Sequence, residues 1–122
     1  AIRWVSLEPQ IAPVDLGPYL GHDKLSWGVQ GGESGPGARP FDLAWARATI
    51  AVCKAAGVRC FVKQLGARPR ISAAPLLVPQ SVESLMRHGE YDPEPEELRL
   101  RDRKGGDPAE WPEDLRVREW PR

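Results

Sequence analysis

The sequence predicts an α/β fold built on a parallel sheet, with at least one βαβ unit and an irregular C-terminal tail. Two apolar runs, 25–30 and 59–65, flank a stretch in which Leu43, Ala46, Ile50 and Cys53 recur at helical spacing. That stretch joins the second run through a very short connection, so strand, helix and strand form a crossover between parallel strands. Each apolar run also turns polar at its C-terminal end, the edge where parallel α/β folds place their chemistry.

Trp4-Val5-Ser6-Leu7 reads as the first strand. It ends at Glu8-Pro9, because proline has no N–H for a ladder and biases its predecessor toward extended geometry. A strand opening so close to Ala1 suggests a chain cut from something larger, or one that lost an upstream part. Residues 11–24 are punctuated by proline and glycine and leave room for one helical turn near 16–20. The second strand, 25–30, feeds a glycine-rich loop, Gly31-Gly32-Glu33-Ser34-Gly35-Pro36-Gly37-Ala38-Arg39-Pro40. The helix follows, with Asp42 suited to its N-cap and Gly57 placed where a left-handed residue ends a helix. Residues 59–65 form the third strand.

Beyond Gly66 the pattern degrades. Residues 67–97 hold five prolines and an acidic run, and read as an irregular Pro-rich insertion with a short helix over 81–88. In the tail, 98–122, Leu98-Arg99-Leu100-Arg101 and Leu115-Arg116-Val117-Arg118 alternate at period two. That alternation predicts two short strands, with Gly105-Gly106 as a turn between them. A chain of 122 residues supports one modest core, so segments 1–66, 67–97 and 98–122 are expected to belong to a single domain.

Seventeen basic and seventeen acidic residues cancel, which excludes a whole-chain field toward nucleic acid or an anionic membrane. No apolar run approaches the roughly 20 residues of a membrane-spanning helix. The start of the chain lacks the apolar region of a secretory signal, and a cytoplasmic location is expected. Cys53 and Cys60 fit neither a CxxC redox pair nor half of a common zinc site. Two buried, reduced thiols are expected, a disulfide being the alternative. His22 and His88 lie in loops with no second ligand nearby, so no metal site is expected. The five tryptophans read as core and tail-docking anchors.

Glu8, then Gln30 with Glu33, then Lys63 with Gln64 stand at the three strand ends. In a parallel sheet those ends share one edge, so the side chains can meet in a single cleft; the bland alternative is that strand ends are polar because they meet water. Lys63 lies within Phe61-Val62-Lys63-Gln64-Leu65, and its ammonium needs a partner, for which Glu8 and Glu33 are the candidates. A structural salt bridge competes there with a catalytic amine or a contact to a substrate carboxylate. The glycine loop matches neither GxxxxGK[ST] nor GxGxxG, and Glu33 would repel phosphate. It suits an amine, ribose hydroxyls or a hydrated cation, unless it is tight only to return the helix to the sheet. Arg101-Asp102-Arg103-Lys104 is the most basic patch and offers weak support for nucleic-acid binding, with a solvated turn as the alternative.

Trp4-Val5-Ser6-Leu7-Glu8-Pro9, the run from Trp27 to Pro40, and Phe61-Val62-Lys63-Gln64-Leu65-Gly66 together resemble the C-terminal part of the phage gene-product thirty-seven/sixty-eight family. The resemblance covers residues 1–66, and segments of the tail between Asp102 and Leu115 look like tails of bacterial members. It implies a partial parallel (β/α) barrel-like sheet taken from a radical S-adenosylmethionine-like protein. Such proteins hold an iron–sulfur cluster on three thiolates, which Cys53 and Cys60 cannot supply. S-adenosylmethionine and the cluster are therefore expected only with an upstream region, and no cofactor for this chain alone. By motif match, Glu8, Glu33 and Lys63 would act as catalytic groups, and Gly31, Gly32, Ser34 and Gln64 as cofactor contacts. The rival reading is a non-catalytic binding or assembly module whose sheet edges are covered by a protein partner or a second copy.

Overall fold

The computed structural model describes residues 2–72 and 96–121. In chain order its elements are β1 (Trp4–Leu7), β2 (Trp27–Gly31), β3 (Phe41–Asp42), α1 (Leu43–Ala55), β4 (Arg59–Gln64), β5 (Pro69–Ile71) and β6 (Glu96–Glu97). Single 3₁₀ turns lie at Gly17–Tyr19, Pro108–Glu110 and Glu113–Leu115. The result is a mixed α/β fold with one helix and two small sheets. No barrel is formed among the described residues, because three parallel strands leave the main sheet open.

The main sheet runs β1-β2-β4, parallel throughout. Its register sets Trp4 beside Trp27 beside Arg59, and Val5 beside Gly28 beside Cys60. Successive side chains alternate between faces, so Val5 and Cys60 meet the helix side while Trp4, Trp27 and Phe61 emerge on the other. The expected βαβ unit is β2, α1 and β4, with β2 and β4 hydrogen-bonded neighbours.

The helix starts and stops where the sequence says it should. The Asp42 carboxylate accepts from the Ala44 N–H at 2.9 Å, which satisfies one of the helix's unpaired donors. Gly57, at φ +69°, takes the left-handed conformation after the last turn and donates its N–H to the Lys54 carbonyl. Leu43, Ala46, Thr49 and Cys53 form the buried stripe. Leu43 and Ala46 join Phe41, Val62, Leu65, Trp111 and Leu115 in one apolar cluster, and Cys53 joins Leu16, Leu20, Val58 and Cys60 in another. Both cysteines are free and buried, as expected.

The rest of the chain corrects the sequence reading in three places. Residues 67–97 are not irregular at their ends: β5 pairs with β3 in parallel and with β6 in antiparallel, forming the second sheet. Residues 98–101 form no strand; Leu98 and Leu100 instead lean on the first apolar cluster. Leu115 sits in a 3₁₀ turn, and only Arg118 makes a ladder contact, an antiparallel bridge to Phe61. The expected helix over 81–88 lies outside the described residues.

That single bridge has company. The Val62 N–H donates to the Val117 carbonyl at 2.8 Å, and the Glu119 N–H to the Cys60 carbonyl at 2.9 Å. The tail thus covers the outer edge of β4, leaving β1 as the other flank of the sheet. Trp111 anchors it, 2% exposed, its indole N–H donating to the Gly105 carbonyl at 2.8 Å.

Candidate functional site at the C-terminal strand edge

Glu8, Lys63 and Gln64 converge. Lys63 Nζ lies 3.2 Å from Glu8 Oε2, and Gln64 Nε2 donates to Glu8 Oε1 at 2.8 Å. The same Gln64 amide donates to the Gly32 carbonyl at 2.9 Å. Consecutive residues on a regular strand point to opposite faces, yet Lys63 and Gln64 reach one carboxylate. The cause is an irregularity between Gln30 and Gly31, after which Gly31 faces Gln64 rather than Lys63. Of the two candidate partners for Lys63, the structure selects Glu8. The ion pair is solvent-facing, with the lysine side chain 55% exposed.

Glu33 lies in the glycine loop and pairs locally. Its carboxylate accepts from the Arg39 backbone N–H at 3.1 Å and from Arg39 Nε at 3.2 Å, and a further contact to Nη2 completes a fork. Hydrogen bonds from the Arg39 side chain and then its backbone hold the Glu33 carboxyl below its ordinary range. Ser34 is exposed on the same loop.

Gly31 and Gly32 are buried. A Cβ on Gly32 would stand 2.5 Å from the Leu65 carbonyl oxygen and 2.8 Å from Phe41 Cβ. The close backbone approach expected of this glycine is made to the neighbouring strand end. Gly66 continues the contact, since a Cβ there would come within 2.9 Å of Gly32 Cα, and one on Gly105 would collide with the Gly66 backbone. Three loops from distant parts of the chain stack main chain on main chain.

Of the five tryptophans read as core and tail-docking anchors, Trp111 is buried and Trp120 docks the tail on Trp27 and Phe61, but Trp4 stands out on the face of the sheet opposite α1. Trp4 is 55% exposed and Trp120 68%, because among the described residues no second layer covers that face. Trp27 lies between them, 5.4 Å from Trp4 and 6.0 Å from Trp120, the latter pair stacked at 29°. Phe61 contacts Trp120 at 5.0 Å. A groove of about 450 Å³ runs over these rings to Glu8 and Lys63. Arg118 flanks it, its guanidinium donating to the Val62 and Lys63 carbonyls and lying over Phe61 and Trp111. Sequence reasoning missed Arg118 and Trp120, although their spacing of two already placed them on one face of the tail.

The other candidates fall elsewhere. The basic patch is stitched into a turn: the Glu110 carboxylate accepts from the Arg101 and Asp102 N–H groups, and the Asp102 carboxylate from that of Gly106. Cys53 and Cys60 lie between α1 and β4, on the helix side, where the hydrogen bond with Cys53 and then burial push the Cys60 thiol far up. Two thiols enclosed there do not fit a three-thiolate cluster. Among the described residues, no three His, Cys, Asp or Glu side chains gather into a metal-binding group. No helix among them is long and apolar enough to cross a membrane. His88 lies outside the described residues.

Fold and site together define a small mixed α/β protein with a polar cluster at one end of an open parallel sheet. The chain belongs to DUF5131, a family of proteins of unknown function whose model matches residues 1–110. No curated protein and no solved structure matches it.

Proposed function

We propose that this chain supplies the ligand-contacting edge of a cytoplasmic, phage-related, radical S-adenosylmethionine-like protein, with the cysteine cluster furnished by an upstream region. In this reading the open sheet is part of a parallel (β/α) barrel. The observation that carries it is the Glu8 carboxylate fixed by Lys63 and Gln64 at the C-terminal strand edge, where such folds gather their reactive groups. Glu8 serves as hydrogen-bond acceptor or acid/base group, Lys63 as a cation for a carboxylate or phosphate, and Glu33 as a polar contact from the loop. Gln64 sets the Glu8 rotamer, while Gly31, Gly32 and Ser34 shape the loop.

Calorimetric titration of S-adenosylmethionine into the protein carrying the upstream region, and into its Glu8→Gln variant, tests this. Saturable binding, weakened about tenfold in the variant, is expected from loss of one charge-assisted hydrogen bond. Absence of binding in both, or equal binding in both, removes the cofactor-contact role.

A second reading, an assembly module, is favoured by the flank of β1, which among the described strands pairs with β2 alone and displays the exposed Trp4. Concentration-dependent dimerisation abolished by Trp4→Ser would support it over the first.

A further inference from the structure

The groove over the open sheet face has a composition that the strand-edge cluster alone does not explain. Its floor is aromatic: Trp4, Trp27 and Phe61 from the three strands, with Trp120 folded over from the tail. Large rings left half exposed on a sheet face are unfavourable unless something covers them. The polar end is cationic on balance. Glu8 is satisfied on both oxygens by Lys63 and Gln64. Arg118 reaches the Lys63 carbonyl at 2.7 Å, and among the described residues it joins no salt bridge. Two cations, Lys63 and Arg118, and one carboxylate, Glu8, therefore line the groove together with the aromatic rings.

From this juxtaposition we infer that the groove binds a mononucleotide, its base on the rings of Trp120 and Phe61 and its phosphate at Lys63 and Arg118. The spacing fits. Phe61 and Lys63 share a face two residues apart on β4, about 7 Å along the strand, which is the order of separation a ribose sets between base and 5′-phosphate. A volume of about 450 Å³ falls in the range of small-ligand clefts, which are mainly apolar with a few placed polar groups. Stacking supplies sequence-tolerant affinity for any base, and the cations supply the preference for a phosphorylated ligand. This rests on the reading of the Glu8 and Lys63 edge as a ligand contact and adds the class of ligand.

Tryptophan fluorescence titrations with adenosine monophosphate, adenosine and inorganic phosphate test it, using wild type, Trp120→Ala and Lys63→Met. The monophosphate is expected to quench saturably, adenosine to bind at least about tenfold more weakly, and phosphate to leave the emission unchanged. Trp120→Ala should weaken the monophosphate about tenfold or more, as loss of one stacking partner does. Lys63→Met should remove the difference between monophosphate and adenosine. Equal affinities in wild type, quenching that survives Trp120→Ala undiminished, or a dimer in sedimentation that Trp120→Ala dissolves would each overturn the inference. Loss of S-adenosylmethionine binding in Glu8→Gln concerns the strand-edge reading, whereas the phosphate preference and the Trp120 dependence concern the groove.

Discussion

Gln64 donates its side-chain amide to Glu8 at 2.8 Å while also holding the Gly32 carbonyl, so one planar group ties together the ends of all three parallel strands. Neither strand end could hold this arrangement without the register irregularity that turns Gln64 toward Glu8. Gln64→Ala should lower stability by about 1 kcal/mol, the typical worth of a hydrogen bond in a partly exposed setting. Gln64→Glu should cost more, since it removes both donations and sets a second carboxylate against Glu8. Urea unfolding of the two variants measures the difference, and equal midpoints would show that the amide is not the tie.

Lys63→Met should change stability by no more than about 1 kcal/mol, because its ion pair with Glu8 is exposed and screened. Thermal unfolding of this variant separates its binding role from any structural one.

Gly32→Ala should destabilise by about 1–3 kcal/mol or more, because the new methyl would strike backbone that cannot move aside as a side-chain tip would. The expected readout is a lower unfolding midpoint with an unchanged denaturant slope. A neutral result would mean that the loops separate at little cost.

Trp111→Ala should cost about 3–5 kcal/mol through the cavity it opens beneath the tail. Trp111→Phe should recover most of that and leave a deficit near 1 kcal/mol for the lost bond to Gly105. The comparison separates packing from hydrogen bonding at one position.

Acid should weaken the fold through Asp114 and Glu33. The side-chain hydrogen bond from Arg47 holds the Asp114 carboxyl below its ordinary range, and Arg39 does the same to Glu33. A carboxyl whose pKa is lower folded than unfolded stabilises above the unfolded value and loses that contribution as pH falls through the folded one. The loss therefore begins as pH drops below about 4, and for the half-exposed Arg47–Asp114 pair it amounts to no more than about 1 kcal/mol. Carboxyl NMR titration of Arg39→Ala should return Glu33 to the ordinary range.

The elements legible in the sequence were those with a repeating physical pattern. Apolar runs ended by polar residues placed β1, β2 and β4, while the Asp42 cap and Gly57 fixed α1. β3, β5 and β6 are two or three residues long, too short for any period to register, and exist because they pair with one another. The alternation in Leu98-Arg99-Leu100-Arg101 misled because two anchors on an apolar cluster have the same spacing as a strand. At the site, convergence of Glu8 with Lys63 and Gln64 followed from parallel topology. The Glu33 pairing did not, since an arginine six residues away in the same loop is reached at less entropic cost than a lysine on another strand. The aromatic face was hidden because five tryptophans in a small chain suggest a core, and only strand register reveals which of them point away from it.

The antiparallel pairing of Ile71 with Glu96 brings the chain back beside the point it left, only a strand spacing away. The second sheet thus takes its third strand from downstream sequence and borrows no edge from the parallel strands that hold Glu8 and Lys63.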